Sequence, residues 1–282
     1  MDIRILGHDE VEATPGVTTL EVKLSLDDLA QLRSEATRAL ELEHAVPAEA
    51  RTEMLEAGDE AYIANFVKTR ATNDALEAYN IVPVAIPYVQ VLGLTDDAPF
   101  ACRVEVHPRP NIGLKSLDPI DLTTQRVPKP GFRAQDANAE FVDDETVLRV
   151  KMVDRLDAEL PESAMRALGD EYRVKFEEEL AKRGISAADY QATHQLDDEQ
   201  YDIMMTRRAL NIAHWNYVLD AVFVGNDFEV TADDLRATLE ADFPGYGEQL
   251  FELHDLRNDM YLTVEKFRRA KALDWLRENV VK

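Results

Sequence analysis

Cysteine is almost missing from this chain: Cys102 stands alone among 282 residues. One thiol cannot close an internal disulfide, so nothing in the sequence demands an oxidising compartment. Bases are also scarce, 31 Lys and Arg against 55 Asp and Glu, for a formal charge of −24. That balance excludes a general positive field, and with it sequence-independent attachment to nucleic acid or to an anionic membrane surface. No apolar run is long enough to span a bilayer, and Met1–Glu10 has neither the basic start nor the apolar centre of a secretory leader. The expected compartment is the cytoplasm, and the expected partners are proteins.

Motifs that carry chemistry are missing too. The six histidines form no HExxH or other close ligand spacing, no Ser/His/Asp or Cys/His arrangement has motif-level support, and no glycine-rich phosphate loop occurs. Asp143-Asp144-Glu145 and Asp197-Asp198-Glu199 lack the alternating ligands and central glycine of a calcium loop, and read as solvated helix starts. No catalytic residue, metal or cofactor is expected.

What the chain does have is legible helices. In Leu160–Asn226, Pro161 suits a first helical position, and Met165, Leu168, Tyr172, Phe176 and Leu180 recur at three- and four-residue steps. Lys182, Arg183 and Gly184 supply the cations and the left-handed residue that end a helix. Ser186 with Asp189 caps a short turn, and Asp197 opens a longer helix striped by Tyr201, Met205, Ile212, Trp215, Leu219 and Val222. Such a stripe marks a core face first. Met152, Met165, Met204 and Met205 are soft side chains that also suit surfaces accepting many shapes. The binding alternative therefore stays open for Met165, Tyr172, Met204, Met205, Trp215 and Tyr217.

Toward the N-terminus, a polar lead-in ends at Pro15-Gly16, and Leu20, Val22 and Leu24 alternate with polar residues as in a half-buried strand. Ser25 with Asp28 caps a helix to about Glu43, and a second helical segment spans Ala48–Tyr79 with a break at Gly58. Pro83 and Pro87 mark Ile81–Leu94 as an edge or bulged strand. Phe100, Cys102, Val104 and Val106 give the cleanest alternation, which places Cys102 in the core rather than among reactive thiols. Thr123–Ala139 reads as a linker. Beyond it the pattern is helical: Thr231 with Asp234 caps one helix, and no Gly or Pro interrupts Glu248–Lys282, which as one helix would reach about 45–50 Å.

This order, an α+β N-terminal domain followed by an all-α C-terminal domain with extended arms, resembles bacterial trigger factor. The likeness rests on Thr19–Ser25, on Pro83–Leu94, and on Pro99-Phe100 leading through Val104-Glu105-Val106 to Pro108. In the helical part it rests on Leu160-Pro161-Glu162, Gly184-Ile185-Ser186 with Asp189-Tyr190, Glu229-Val230-Thr231 and Lys271-Ala272-Leu273-Asp274-Trp275-Leu276. The resemblance divides the chain into a domain similar to the ribosome-binding domain (1–122), a linker (123–150) and a helical chaperone domain (151–282). It implies an ATP-independent chaperone whose arms hold unfolded or nascent protein, with no cofactor.

Two departures follow. The family's prolyl isomerase domain has no room in the linker, so no isomerase activity is expected. The family docks on the ribosome through Gly-Phe-Arg-x-Gly-Lys-x-Pro; anchored on Pro47, those positions hold Leu40, Glu41, Leu42, His44 and Ala45. The surrounding Glu41–Glu60 is strongly acidic, and ribosomal RNA would repel it. Ribosome docking is therefore not expected, and Gly131-Phe132-Arg133 in the linker is coincidental. A helical part cut near Ala139 is expected to fold by itself. An alternative reading is a scaffold for one fixed partner or for a second copy of the chain.

Overall fold

A computed structural model describes residues 1–7, 15–52, 55, 58–92, 99–122, 129 and 141–281. Among them, an antiparallel sheet has the order β1-β2-β4-β3, built from β1 (Asp2–Ile5), β2 (Thr18–Leu24), β3 (Tyr88–Val91) and β4 (Phe100–Val106). The alternation in β2 and β4 does what it predicts: Leu20, Val22, Leu24, Cys102, Val104 and Val106 are buried in one core. β1 was hidden in what reads as a polar lead-in, because a four-residue edge strand offers only Ile3 and Ile5 as signal.

α1 (Leu26–Ala45) and α2 (Asp59–Ala78) follow β2 and cover that core with Leu32, Val67, Ala71, Ala75 and Leu76. Ser25 starts α1 through a reciprocal cap: its hydroxyl accepts from the Asp28 amide at 3.2 Å, and its amide donates to the Asp28 carboxylate at 2.9 Å. The expected break at Gly58 is real. Gly58 has φ +89 and precedes α2, and a short 3-10 turn (Ala48–Ala50) follows α1 upstream of it.

The later elements are β5 (Gly113–Leu114), α3 (Asp144–Val153), β6 (Leu156–Asp157), α4 (Glu162–Lys182), α5 (Ala187–His194), α6 (Asp198–Gly225), α7 (Ala232–Asp242), α8 (Gly247–Arg257) and α9 (Tyr261–Asn279). The fold is thus a mixed α+β N-terminal part followed by a helical C-terminal part. Asp143 caps α3 inside the stretch read as linker, where its carboxylate accepts from the Thr146 amide at 2.8 Å. Residues 123–128 and 130–140 of that stretch, including Gly131-Phe132-Arg133, lie outside the described residues.

Glu248–Lys282 is not one helix. Asn258 takes a left-handed conformation (φ +51) after α8, and its side-chain amide donates to Asp74 at 2.7 Å and Glu77 at 2.9 Å. Asparagine tolerates this conformation better than other residues with a Cβ, and bonds to α2 hold it there.

The chain forms two compact units that cut across the sequence division. The first holds Met1–Arg109, Pro161–Glu171 and Val230–Val264; the second holds Pro110–Leu160, Tyr172–Glu229 and Glu265–Lys282. In the first, α7 and α8 bury Leu239, Leu250 and Leu253 with Ala36, Ala39, Leu40, Val46, Tyr62 and Phe66 of the α1–α2 region. A helical part cut near Ala139, expected to fold by itself, would leave the α7 and α8 stripes without the α1 and α2 residues that close them. The start of α4 also belongs here. Gly16 (φ +77) lies so close to Pro161 that a Cβ would stand 2.9 Å from its ring carbons, and the Ser163 hydroxyl donates to the Pro15 carbonyl at 2.7 Å. In the second unit, α6 packs against α3, β5 and β6, and Ile120, Leu148, Met152, Ala272, Leu276 and Val280 are buried.

Candidate functional site

Burial sorts the six helical candidates. Met205, Trp215 and Tyr217 are 1%, 7% and 3% exposed, and so are core residues of α6 rather than a binding face. The correction has a simple cause: a 28-residue helix packed on several elements carries apolar residues around most of its girth, so period alone does not say which are covered. Trp215 also lies under the Arg149 guanidinium, 5.5 Å from the ring centroid. Met165, Tyr172 and Met204 are half-buried. Met165 belongs to the first compact unit, and Tyr172 and Met204 belong to the second.

Tyr172 sits in an aromatic cluster on α4, α5 and α6. Its ring stacks on Phe176 at 6.2 Å, Phe176 meets Tyr190 edge-on at 5.1 Å, and Arg208 lies over Phe176 at 5.2 Å. Burial lifts the Tyr201 phenol above its ordinary range, and Glu177 beside it adds to the shift. The cluster ties α4, α5 and α6 together; its rings serve packing.

The degenerate docking segment closes α1. Leu40 is buried, Leu42 and Pro47 are half-buried, and Glu41, His44 and Ala45 are exposed. Leu40 and Val46 belong to the core that α7 and α8 complete, and Leu42 packs against it. The neighbouring base is also engaged: Arg51 donates to the carbonyls of Val46 at 3.0 Å and His44 at 3.1 Å. Glu43 is buried in an ion pair with Arg257 of α8; Thr52 donates to Glu43 at 2.8 Å, and Arg257 donates to Tyr62 Oη at 3.2 Å.

Sequence reasoning missed the side chains that do face solvent. In the first unit, Ile86, Tyr88 and Val91 are 71%, 64% and 54% exposed along the edge of the sheet. In the second, Val174 of α4 and Ile203, Ile212 and Val224 of α6 are exposed. The signal for the edge was present, since no charged residue occurs from Asn80 to Leu92. The signal for Ile203 and Ile212 was not, because they share a helix with buried residues of the same type.

The Cys102 thiol is buried, and burial pushes its pKa up to about 11, so it is neutral and shielded near neutral pH. Among the described residues no three His, Cys, Asp or Glu side chains stand together as a metal cluster. No described helix is long and apolar enough to cross a membrane. The described surface includes exposed large apolar side chains. The family profile of the bacterial trigger factor protein C-terminus matches residues 135–278, just over half of the chain, and the chain belongs to that family.

The trigger factor of Thermobifida fusca (strain YX) is 26% identical over 127 residues, 44% of this chain and 27% of that protein. The match thus spans about a quarter of the relative's length. A solved structure of a trigger factor chaperone, studied for promiscuous substrate recognition in folding and assembly activities, covers 99% of this chain and 100% of its own, at 13% identity and a TM-score of 0.43.

Proposed function

We propose that this chain is a chaperone that reversibly holds unfolded or partly folded proteins in the cytoplasm, without ATP and without isomerase chemistry. Membership of the trigger factor family supports this reading. The observation that carries it is that large apolar side chains are left exposed in each unit, among them Val174, Ile203, Ile212 and Val224 in one and Ile86, Tyr88 and Val91 in the other. Apolar surface of this kind gains free energy by covering a client's apolar segments. The formal charge of −24 keeps the loaded complex soluble.

Action away from the ribosome is part of the reading. Its support is the closing segment of α1, where Leu40 and Val46 are packed under α7 and α8 and Arg51 is spent on backbone carbonyls. Pelleting with ribosomes at physiological salt should leave the chain in the supernatant, and saturable co-sedimentation would refute the clause. For the isomerase clause, Pro-peptide isomerisation should not accelerate with protein concentration; proportional acceleration would refute it.

The principal experiment replaces Ile203 and Ile212 with Asp in the full-length chain. Circular dichroism and melting should stay as in the parent, because both side chains face solvent. Protection of a denatured client from aggregation should fall severalfold. Unchanged protection would remove these two residues from the client surface, and unchanged protection after charging all seven of the residues named above would end the reading.

A further inference from the structure

Among the described residues β3 is an edge strand of the sheet, paired with β4 on one side alone. Leu92 donates its amide to the Ala101 carbonyl at 2.8 Å, in the same register that pairs Gln90 with Arg103 and Tyr88 with Glu105. In an antiparallel ladder, alternate residues exchange hydrogen bonds with one neighbour and turn their N–H and C=O groups the other way. Val89 and Val91 therefore point their backbone groups away from β4, where no strand pairs with them among the described residues.

Natural sheets protect such edges with charges, bulges or proline within the strand. The opposite edge follows the rule: β1 carries Asp2 and Arg4, and Arg4 is ion-paired with Glu21 at 3.0 Å. β3 carries Tyr88, Val89, Gln90 and Val91, and the uncharged stretch around it extends from Asn80 to Leu92 in a chain with 30% charged residues. Its prolines, Pro83 and Pro87, precede the strand and do not fall within it.

We propose that the β3 edge binds an uncharged, extended apolar segment of a client polypeptide by accepting it as an added strand. This rests on the chaperone reading and names one way in which a client is held. Backbone hydrogen bonds to Val89 and Val91 supply a grip that is indifferent to client sequence, as a promiscuous binder needs. Specificity is limited to alternation: side chains on one face of the added strand lie beside Val91, and those on the other beside the Tyr88 ring.

A second copy of the chain is a poorer occupant. Four residues make an edge about 13 Å long, whereas a stable dimer buries on the order of 1,200 Å² or more. Two copies would also bring two strongly acidic bodies together. A short neutral edge suits a weak, repeated grip on a neutral segment.

The test uses the full-length chain and an N-acetylated, C-amidated ten-residue peptide of alternating Val and Thr bearing a fluorophore, followed by anisotropy. Two variants probe the edge. Val91→Pro puts a ring where an outward N–H stood without removing a bond to β4, and Val91→Lys adds the missing charge. Circular dichroism and melting confirm that both fold, and if the proline variant does not, the lysine variant decides. The peptide should bind the parent saturably, binding should weaken at least tenfold in the variants, and N-methylation of alternate peptide amides should abolish it with side chains unchanged. Binding indifferent to N-methylation and to both substitutions would overturn the proposal, as would no binding at all. If the parent still protects clients from aggregation in that case, the chaperone reading survives without the edge. Edge binding without any protection would support the edge and contradict the chaperone reading.

Discussion

Glu43 and Arg257 show what one residue pair contributes. Both are buried, and they join the end of α1 to the end of α8 with Thr52 and Tyr62 as polar partners. Removing one charge strands the other in a medium of low polarity, which typically costs about 3–5 kcal/mol. Arg257→Met should therefore lower the urea midpoint sharply, and adding Glu43→Leu should recover much of the loss; a single variant as stable as the parent would contradict this. His214 governs a pH effect. Burial lowers its pKa below the ordinary 6.5, so the folded chain prefers the neutral ring. On acidification the unfolded chain binds the proton first, so this contribution is constant above about pH 6.5 and is lost as pH falls through the folded pKa. His214→Gln should flatten the decline in stability between about pH 6.5 and pH 5, measured by urea denaturation at stepped pH.

At the scale of elements, the α7–α8 pair depends on α1 and α2. Besides the shared core, Arg70 donates to the carbonyls of Leu256 at 2.5 Å and Asp255 at 3.3 Å, and Asn73 donates to Arg257 at 3.2 Å. These bonds satisfy the open carbonyls at the end of α8. A fragment beginning near Ala139 should thus keep α3, α4, α6 and α9 but lose protection in α7 and α8, and amide hydrogen exchange should show those two helices exchanging far faster than in the full chain. Equal protection would mean that the pair stands alone. The helices themselves were readable: the caps at Ser25, Asp197 and Thr231 and the break at Gly58 fall where the residues place them. Local chemistry decides such boundaries. The partner of the Leu239, Leu250 and Leu253 stripe was not readable, because an amphipathic face records that it is covered and not by what. The turn at Asn258 escaped for the same reason, since its left-handed backbone is secured by Asp74 and Glu77, distant in sequence.

Over the whole molecule, the two compact units are discontinuous in sequence, which a left-to-right reading divides differently. The strands β2 and β4 and the mixed-then-helical progression were still legible, because β2 and β4 alternate cleanly and the helices carry their own stops. The exposed apolar surface was less so. Met205, Trp215 and Tyr217 turned inward, while Ile86, Tyr88 and Ile203 turned outward, and large apolar side chains look alike in sequence whichever way they face. Breadth of clients separates a chaperone from a scaffold devoted to one partner. The direct measurement is light scattering from acidic, basic and near-neutral proteins diluted from denaturant with the full-length chain at equimolar ratio. Delayed aggregation of all three is predicted, whereas protection of only one, or of none, would contradict the chaperone reading.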